Sequence, residues 1–84
     1  MTSTPAKVLV IEDDAAIRKL LRTTLSVNDY VVDEAPSGKE GLRLAPHLKP
    51  DLIILDLGLP DIDGQEIIGK IRARDTTPII VLSS

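Results

Sequence analysis

Asp51-Leu52-Ile53-Ile54-Leu55-Asp56-Leu57-Gly58-Leu59-Pro60-Asp61-Ile62-Asp63-Gly64 is the stretch on which the fold turns. Its aliphatic run, 52–55, is short, bounded by acidic residues and free of polar alternation. That pattern reads as a strand buried on both faces, and so as the centre of a sheet. The run breaks at Asp56 into a loop full of turn formers, and Asp63 then caps a helix with Glu66 at its third position and Ile67, Ile68 and Ile71 facing inward.

Working outward, the same units recur. Lys7 to Ile11 is another short apolar strand, and it breaks into Glu12, Asp13 and Asp14. Ile17, Leu20, Leu21, Thr24 and Leu25 follow at helical spacing, with Arg18, Lys19 and Arg22 on the opposite side and a start near Asp14 or Ala15. Asn28-Asp29 marks a turn, and residues 30–35 form a strand that ends at Pro36. Its Asp33 and Glu34 suggest an edge. Ser37-Gly38-Lys39-Glu40 matches a capping box, in which the Ser37 hydroxyl and the Glu40 carboxylate both satisfy free backbone donors. The helix it opens is weakened by Gly38, Gly41 and Pro46, and Pro46 is expected to kink or shorten it. Asp75-Thr76-Thr77-Pro78 breaks the third helix, and Ile79 to Leu82 is a fourth strand that leads into Ser83-Ser84. Strands alternating with helices imply right-handed crossovers and an α/β fold with a doubly wound parallel sheet. An edge-like second strand and an apolar third give the spatial order 2-1-3-4. Chain direction then reverses between strands one and three, where open α/β sheets bind ligands.

With 84 residues, 43% of them hydrophobic, the chain forms one small domain. Ten basic and thirteen acidic residues give a net charge of −3 with no dense basic segment, which argues against direct binding to nucleic acid or an anionic membrane. No cysteine is present, so disulfides and thiolate metal sites are excluded. The N-terminal residues lack a secretory pattern and no apolar run approaches a membrane span, so a cytoplasmic location is expected.

The switch point gathers acidic groups. Taken singly, an aspartate after a strand is most often a cap or loop former, and Asp14, Asp61 and Asp63 are read that way. Convergence alters the reading for Glu12, Asp13 and Asp56, because like charges packed together are stable mainly with a cation or proton between them. Together with a carbonyl from the Leu57-Gly58 turn they offer the hard oxygen ligands that Mg²⁺ prefers. A carboxylate beside such an ion can attack phosphorus. Asp56, at the end of the central strand, is best placed to do so, and Gly58 lets a ligand approach. Ser83 offers a hydroxyl to phosphoryl oxygens, although from spacing alone it is as readily a solvated serine. No phosphate loop or dinucleotide fingerprint follows a strand. His47 is read as a solvated side chain, and Tyr30, the sole aromatic residue, gives no stacking platform.

Val8-Leu9-Val10-Ile11-Glu12-Asp13-Asp14, the stretch from Asp51 to Gly64, and Pro78-Ile79-Ile80-Val81-Leu82-Ser83 closely resemble the receiver domain of bacterial two-component response regulators. The order and spacing of the acidic pair, the acceptor aspartate, the proline four residues on, the glycine eight residues on and the terminal hydroxyl carry the likeness. Leu-Gly-Leu-Pro-Asp-Ile-Asp-Gly resembles, more narrowly, transcription regulators with a winged-helix DNA-binding domain. The resemblance implies a flavodoxin-like, CheY-like fold in which Asp56 takes a phosphoryl group from a sensor histidine kinase, with Mg²⁺ required. It implies that Asp13 binds the metal directly, Glu12 acts largely through water, the Gly58 carbonyl completes the protein ligands, and Ser83 is the switch hydroxyl with Ser84 beside it. The chain would be a phosphoacceptor rather than an enzyme, and any DNA contact would lie in a domain outside this sequence.

A full receiver has five strands and five helices. The expectation is therefore a disordered tail over 1–6 and a truncated receiver over 7–84, without the fourth helix, fifth strand and fifth helix. The family's Lys after strand five and its aromatic switch residue would be missing too. Strand four would then be an exposed apolar edge, which favours a homo-oligomer that buries Ile79 to Leu82. Two functions stay open for the 84-residue chain. One is a signalling phosphoacceptor, and the other is a self-associating structural fragment that is not productively phosphorylated.

Overall fold

A computed structural model describes residues 4–82. Its order is β1 (Lys7–Ile11), α1 (Ala15–Val27), β2 (Val31–Ala35), α2 (Gly38–Leu48), β3 (Leu52–Asp56), α3 (Gly64–Arg72) and β4 (Ile79–Leu82). The four strands form one sheet in the order β2-β1-β3-β4, with every pairing parallel, as the alternation of apolar runs and amphipathic helices requires. The switch point falls between β1 and β3, which are paired Val8 to Leu52 through Ile11 to Leu55. Of the expected tail, residues 1–3 lie outside the described residues; the Ala6 carbonyl accepts the Val31 N–H at 2.9 Å.

Strand periodicity divides the interior into two layers. Leu9, Ile11, Ile53 and Leu55 pack with Ala35, Leu59, Ile67 and Ile71 beneath α2 and α3. Val8, Val10 and Ile54 face the other way, against Leu21 and Leu25 of α1. Full burial of each Leu, Ile or Val side chain contributes about 1.5–3 kcal/mol, so the β1–β3 pair, buried on both faces, anchors the domain.

Local chemistry sets the helix ends. Asp14 caps α1 by accepting from the Ala16 and Ile17 amides, and Asp63 caps α3 through the Gln65 amide. The Ser37 hydroxyl accepts from the Glu40 amide at 3.1 Å, but the reciprocal half of the capping box is replaced. Glu40 turns outward to pair with Arg43. The first amides of α2 are taken instead by Asp61, which accepts from Gly38 at 3.0 Å and Lys39 at 2.9 Å. Asp61 is therefore not a local loop former. It fastens the β3–α3 loop to α2, and those two amides hold its carboxyl below the usual carboxylate range. The helix passes through Pro46 and ends at Leu48, with Lys49 in the left-handed region. His47 is exposed, as expected, and its Nδ1 donates back along the helix to the Arg43 carbonyl at 3.0 Å.

The inward stripe of α1 is rotated from the expected one. Leu21 and Leu25 are half-buried as anticipated, whereas Ile17, Leu20 and Thr24 are exposed, Leu20 to 65%. Arg18 and Arg22, expected to face solvent, reach Glu34 on the α1 side of β2.

Gly41, which weakens α2 as a helix, is needed for packing. A Cβ there would lie 2.5 Å from Cδ1 of Ile11, inside the core, whereas a Cβ at the exposed Gly69 of α3 would meet nothing within 4 Å. Gly41→Ala is expected to destabilise the domain by about 1–3 kcal/mol through overpacking. Gly69→Ala is expected to stabilise it by roughly 0.4–1 kcal/mol. Urea unfolding midpoints of the two variants check both signs.

Candidate phosphoacceptor and metal site

The β1–β3 register builds the site. Ile11 pairs with Leu55, so the next residues, Glu12 and Asp56, leave the sheet side by side. On the other flank Asp56 is in register with Leu82 at the end of β4. Glu12, Asp13 and Asp56 each present a carboxylate oxygen, and these oxygens all lie within 4.8 Å of one another. They line a cleft of about 310 Å³ with Asp14, Ile17, Gly58 and Leu82.

The three carboxylates are unequally placed. Glu12 is 3% exposed, Asp56 is half-buried and Asp13 is open to solvent. Oε2 of Glu12 accepts from the Asp13 amide at 2.9 Å, which turns the buried carboxylate back across the start of the β1–α1 loop. Oδ1 of Asp56 accepts from the Gly58 amide at 2.9 Å. Burial first, and then the hydrogen bond and negative charge of Asp56, push the Glu12 carboxyl up to about 7. The hydrogen bond from Glu12, followed by that from Gly58, holds Asp56 below its ordinary value against the opposing effect of burial. The two shifts run in opposite directions, so Glu12 is the carboxyl of the pair that takes up a proton first and Asp56 the one that stays ionised, the usual resolution for like charges without a cation between them. A carboxyl whose affinity for a proton is raised by burial and then by an acidic neighbour has the donor chemistry for a hard divalent cation, which would displace that proton.

Of the sequence-predicted residues, the structure brings Glu12, Asp13, Asp56 and Gly58 to this one cleft. Gly58 contributes its amide to Asp56, and its φ is not positive, so the turn does not depend on left-handed backbone. Ser83 and Ser84 lie outside the described residues. A larger apolar groove, about 350 Å³ between the C-terminal ends of α2 and α3, is at the opposite end of the sheet from the carboxylates. Sequence reasoning missed Arg18, which donates to the carbonyls of both Glu12 and Asp13. Its i, i+3, i+7 spacing to Leu21 and Leu25 was the available signal.

Comparison with known proteins agrees with this geometry. The family described as the response regulator receiver domain matches residues 8–84. The chain is 52% identical over 77 residues to the KDP operon transcriptional regulatory protein KdpE of Escherichia coli (strain K12), covering 92% of this chain and 34% of that protein. It is 44% identical over 78 residues to the transcriptional regulatory protein ResD of Bacillus subtilis (strain 168), covering 93% of this chain and 32% of that one. The chain thus spans about a third of the length of these relatives. Among solved structures, the BeF3-activated N-terminal receiver domain of Klebsiella pneumoniae RstA superposes with a TM-score of 0.88 at 32% identity, over 93% of this chain and 67% of that one. The chemotaxis response regulator CheY4 of Vibrio cholerae gives a TM-score of 0.89 at 34% identity, over 93% and 68%. A parallel 2-1-3-4 sheet with three carboxylates at its switch point, matched by the family over nearly its whole length, makes this chain a member of the response regulator receiver domain family.

Proposed function

We propose that the chain is a phosphoacceptor in two-component signalling, in which Asp56 takes a phosphoryl group from a phosphohistidine of a sensor kinase. The observation that carries the reading is the convergence of Glu12, Asp13 and Asp56 at adjacent strand ends. Glu12, Asp13, Asp56 and the Gly58 carbonyl would hold Mg²⁺. When bound, Mg²⁺ neutralises carboxylate and phosphoryl oxygens that would otherwise repel. Asp56 is the nucleophile because it ends the central strand beside the acidic pair and its carboxyl is held below its ordinary value, and the Gly58 amide fixes the rotation of its carboxylate. A carboxylate oxygen forms a bond to phosphorus as the bond to the imidazole nitrogen breaks. That nitrogen keeps the electron pair and takes a proton from water. Ser83 follows Leu82, the residue in register with Asp56, and its hydroxyl is assigned to the phosphoryl oxygens.

The relatives' names describe transcriptional regulators, which supports a role for this domain in controlling transcription within a longer protein whose other domain contacts DNA. The chain itself is a regulatory acceptor rather than an enzyme, and a cytoplasmic setting suits it. Among the described residues no helix is long and apolar enough to cross a membrane. Incubation with Mg²⁺ and a small phosphodonor is expected to add one phosphoryl group by intact mass, and Asp56→Asn to abolish the addition. An adduct that persists in Asp56→Asn, or no adduct under conditions that modify another receiver, would overturn the assignment.

A second reading, self-association, rests on the outer edge of β4. Among the described residues it carries no partner strand, and Ile80 and Val81 are 51% and 40% exposed. Such an edge pairs readily with a second copy, and a charge on it blocks pairing. Light scattering is expected to show a dimer that Ile80→Lys returns to monomer; a monomer at all concentrations rejects it.

The Glu12 proton sets the pH response. Because its folded pKa is raised, the stabilisation is present below the ordinary value of 4.5 and is lost as pH rises through about 7. Metal-free stability should therefore fall across that interval and level off above it. Asp56 and Asp61, whose folded values are lowered, act in the opposite sense and only in acid. Mg²⁺ affinity should rise over the same interval, since the ion displaces the proton. Urea midpoints and calorimetric Mg²⁺ titrations from about pH 5 to about pH 8 test both trends, and Glu12→Gln is expected to flatten them.

A further inference from the structure

We infer that Arg18 is the positioning residue of the acidic site, resting on the Mg²⁺ reading above: its guanidinium holds the β1–α1 loop so that Glu12 and Asp13 face Asp56. Nη1 of Arg18 donates to the Glu12 carbonyl at 2.8 Å and to the Asp13 carbonyl at 3.0 Å. One nitrogen therefore bridges the main chain of the two successive residues whose side chains form half of the site. Hydrogen bonds from a charged donor are about twice as strong as neutral ones, and a planar guanidinium fixes direction as well as distance.

The guanidinium is itself held in place. Its side chain is only 19% exposed, and Nε lies 3.5 Å from Oε1 of Glu34 on the edge strand β2. The other Glu34 oxygen, Oε2, accepts from Nη1 of Arg22 at 2.6 Å, one helical turn further along α1. Glu34 thus spans two arginines and ties the helix, the edge strand and the metal-ligand loop into one unit.

A loop that carries adjacent acidic side chains next to a third has every electrostatic reason to swing into solvent. The Glu12 amide donates to the Ala35 carbonyl of β2 at 3.0 Å, and the Asp14 cap secures the far end through the Ala16 and Ile17 amides. Arg18 adds the hold on the two carbonyls between these anchors, those of Glu12 and Asp13. Coulomb's law gives a sharp contrast, because a cation near a cation site weakens metal binding if it acts by charge alone. Removal of Arg18 would then strengthen Mg²⁺ binding. Positioning demands the reverse.

The test uses the full chain with Arg18→Met and Arg18→Lys, each titrated with MgCl₂ and followed by the amide NMR signals of Asp13, Asp56 and Gly58. Metal-free spectra and amide exchange are recorded first. Arg18→Met is expected to weaken Mg²⁺ binding roughly tenfold, the scale of one lost charge-assisted hydrogen bond, and to speed amide exchange at Asp13 and Asp14. Arg18→Lys keeps the charge but not the planar fork, and is expected to weaken binding about threefold. Equal or tighter binding in both variants overturns the inference. If Arg18→Met fails to fold, Arg18→Lys decides alone, and unchanged affinity in it is sufficient to reject. Absence of Mg²⁺-dependent shifts in the unsubstituted chain is a different result. It removes the metal reading itself, and the inference with it.

Discussion

The parallel pairing of β1 with β3 is the constraint from which the rest follows. Their side chains are buried on both faces, so neither strand can slip by one residue without moving an entire apolar set into the opposite layer. That locked register forces the residues after Ile11 and Leu55 to emerge together, and those residues are Glu12 and Asp56. Apolar packing thus supplies the free energy that holds two acidic groups closer than they would otherwise come. In the metal-free domain burial, and then the neighbouring Asp56, raise the Glu12 carboxyl to about 7, so it is the group that takes up a proton to relieve the repulsion.

Around this pair the two faces of the sheet are built differently. Beneath α2 and α3 the layer is dense, and at Gly41 the helix comes too close to Ile11 for any larger residue. On the α1 side it is thin, with Ile17 and Leu20 exposed and Ile80 open on the outer strand. Polar ties compensate. Glu34 joins Arg18 and Arg22 to the edge strand, and Asp61 joins the β3–α3 loop to α2. Both ties hold loops that flank the acidic cleft.

Much of this was legible in the chain. Strand positions, the 2-1-3-4 order and the acidic triad follow from short apolar runs bounded by Asp and Glu, because such runs have few ways to hide both faces. Asp14 and Asp63 were readable as caps for the same local reason: a cap bonds amides within three residues of itself. Asp61 was misread because its partners, the Gly38 and Lys39 amides, are more than twenty residues away in the chain and are brought to it only by folding. Glu40 was misread because two local partners compete for it, and the charged Arg43 three residues on takes it from the capping position.

By itself the sequence determined the alternation of elements, the parallel sheet and the identity of the residues at the switch point, since hydrophobic period and chain order suffice for these. Tertiary structure alone decided the rotation of α1, the role of Arg18 and the location of the Glu12 proton. Helical periodicity leaves a stripe free to turn by part of a residue, and the setting that places Arg18 over the loop is defined by partners from other elements, the sheet face under Leu21 and Leu25 and Glu34 on the edge strand. The proton is likewise a property of assembly. An isolated glutamate titrates near 4.5, and this one is displaced because folding buries it beside Asp56.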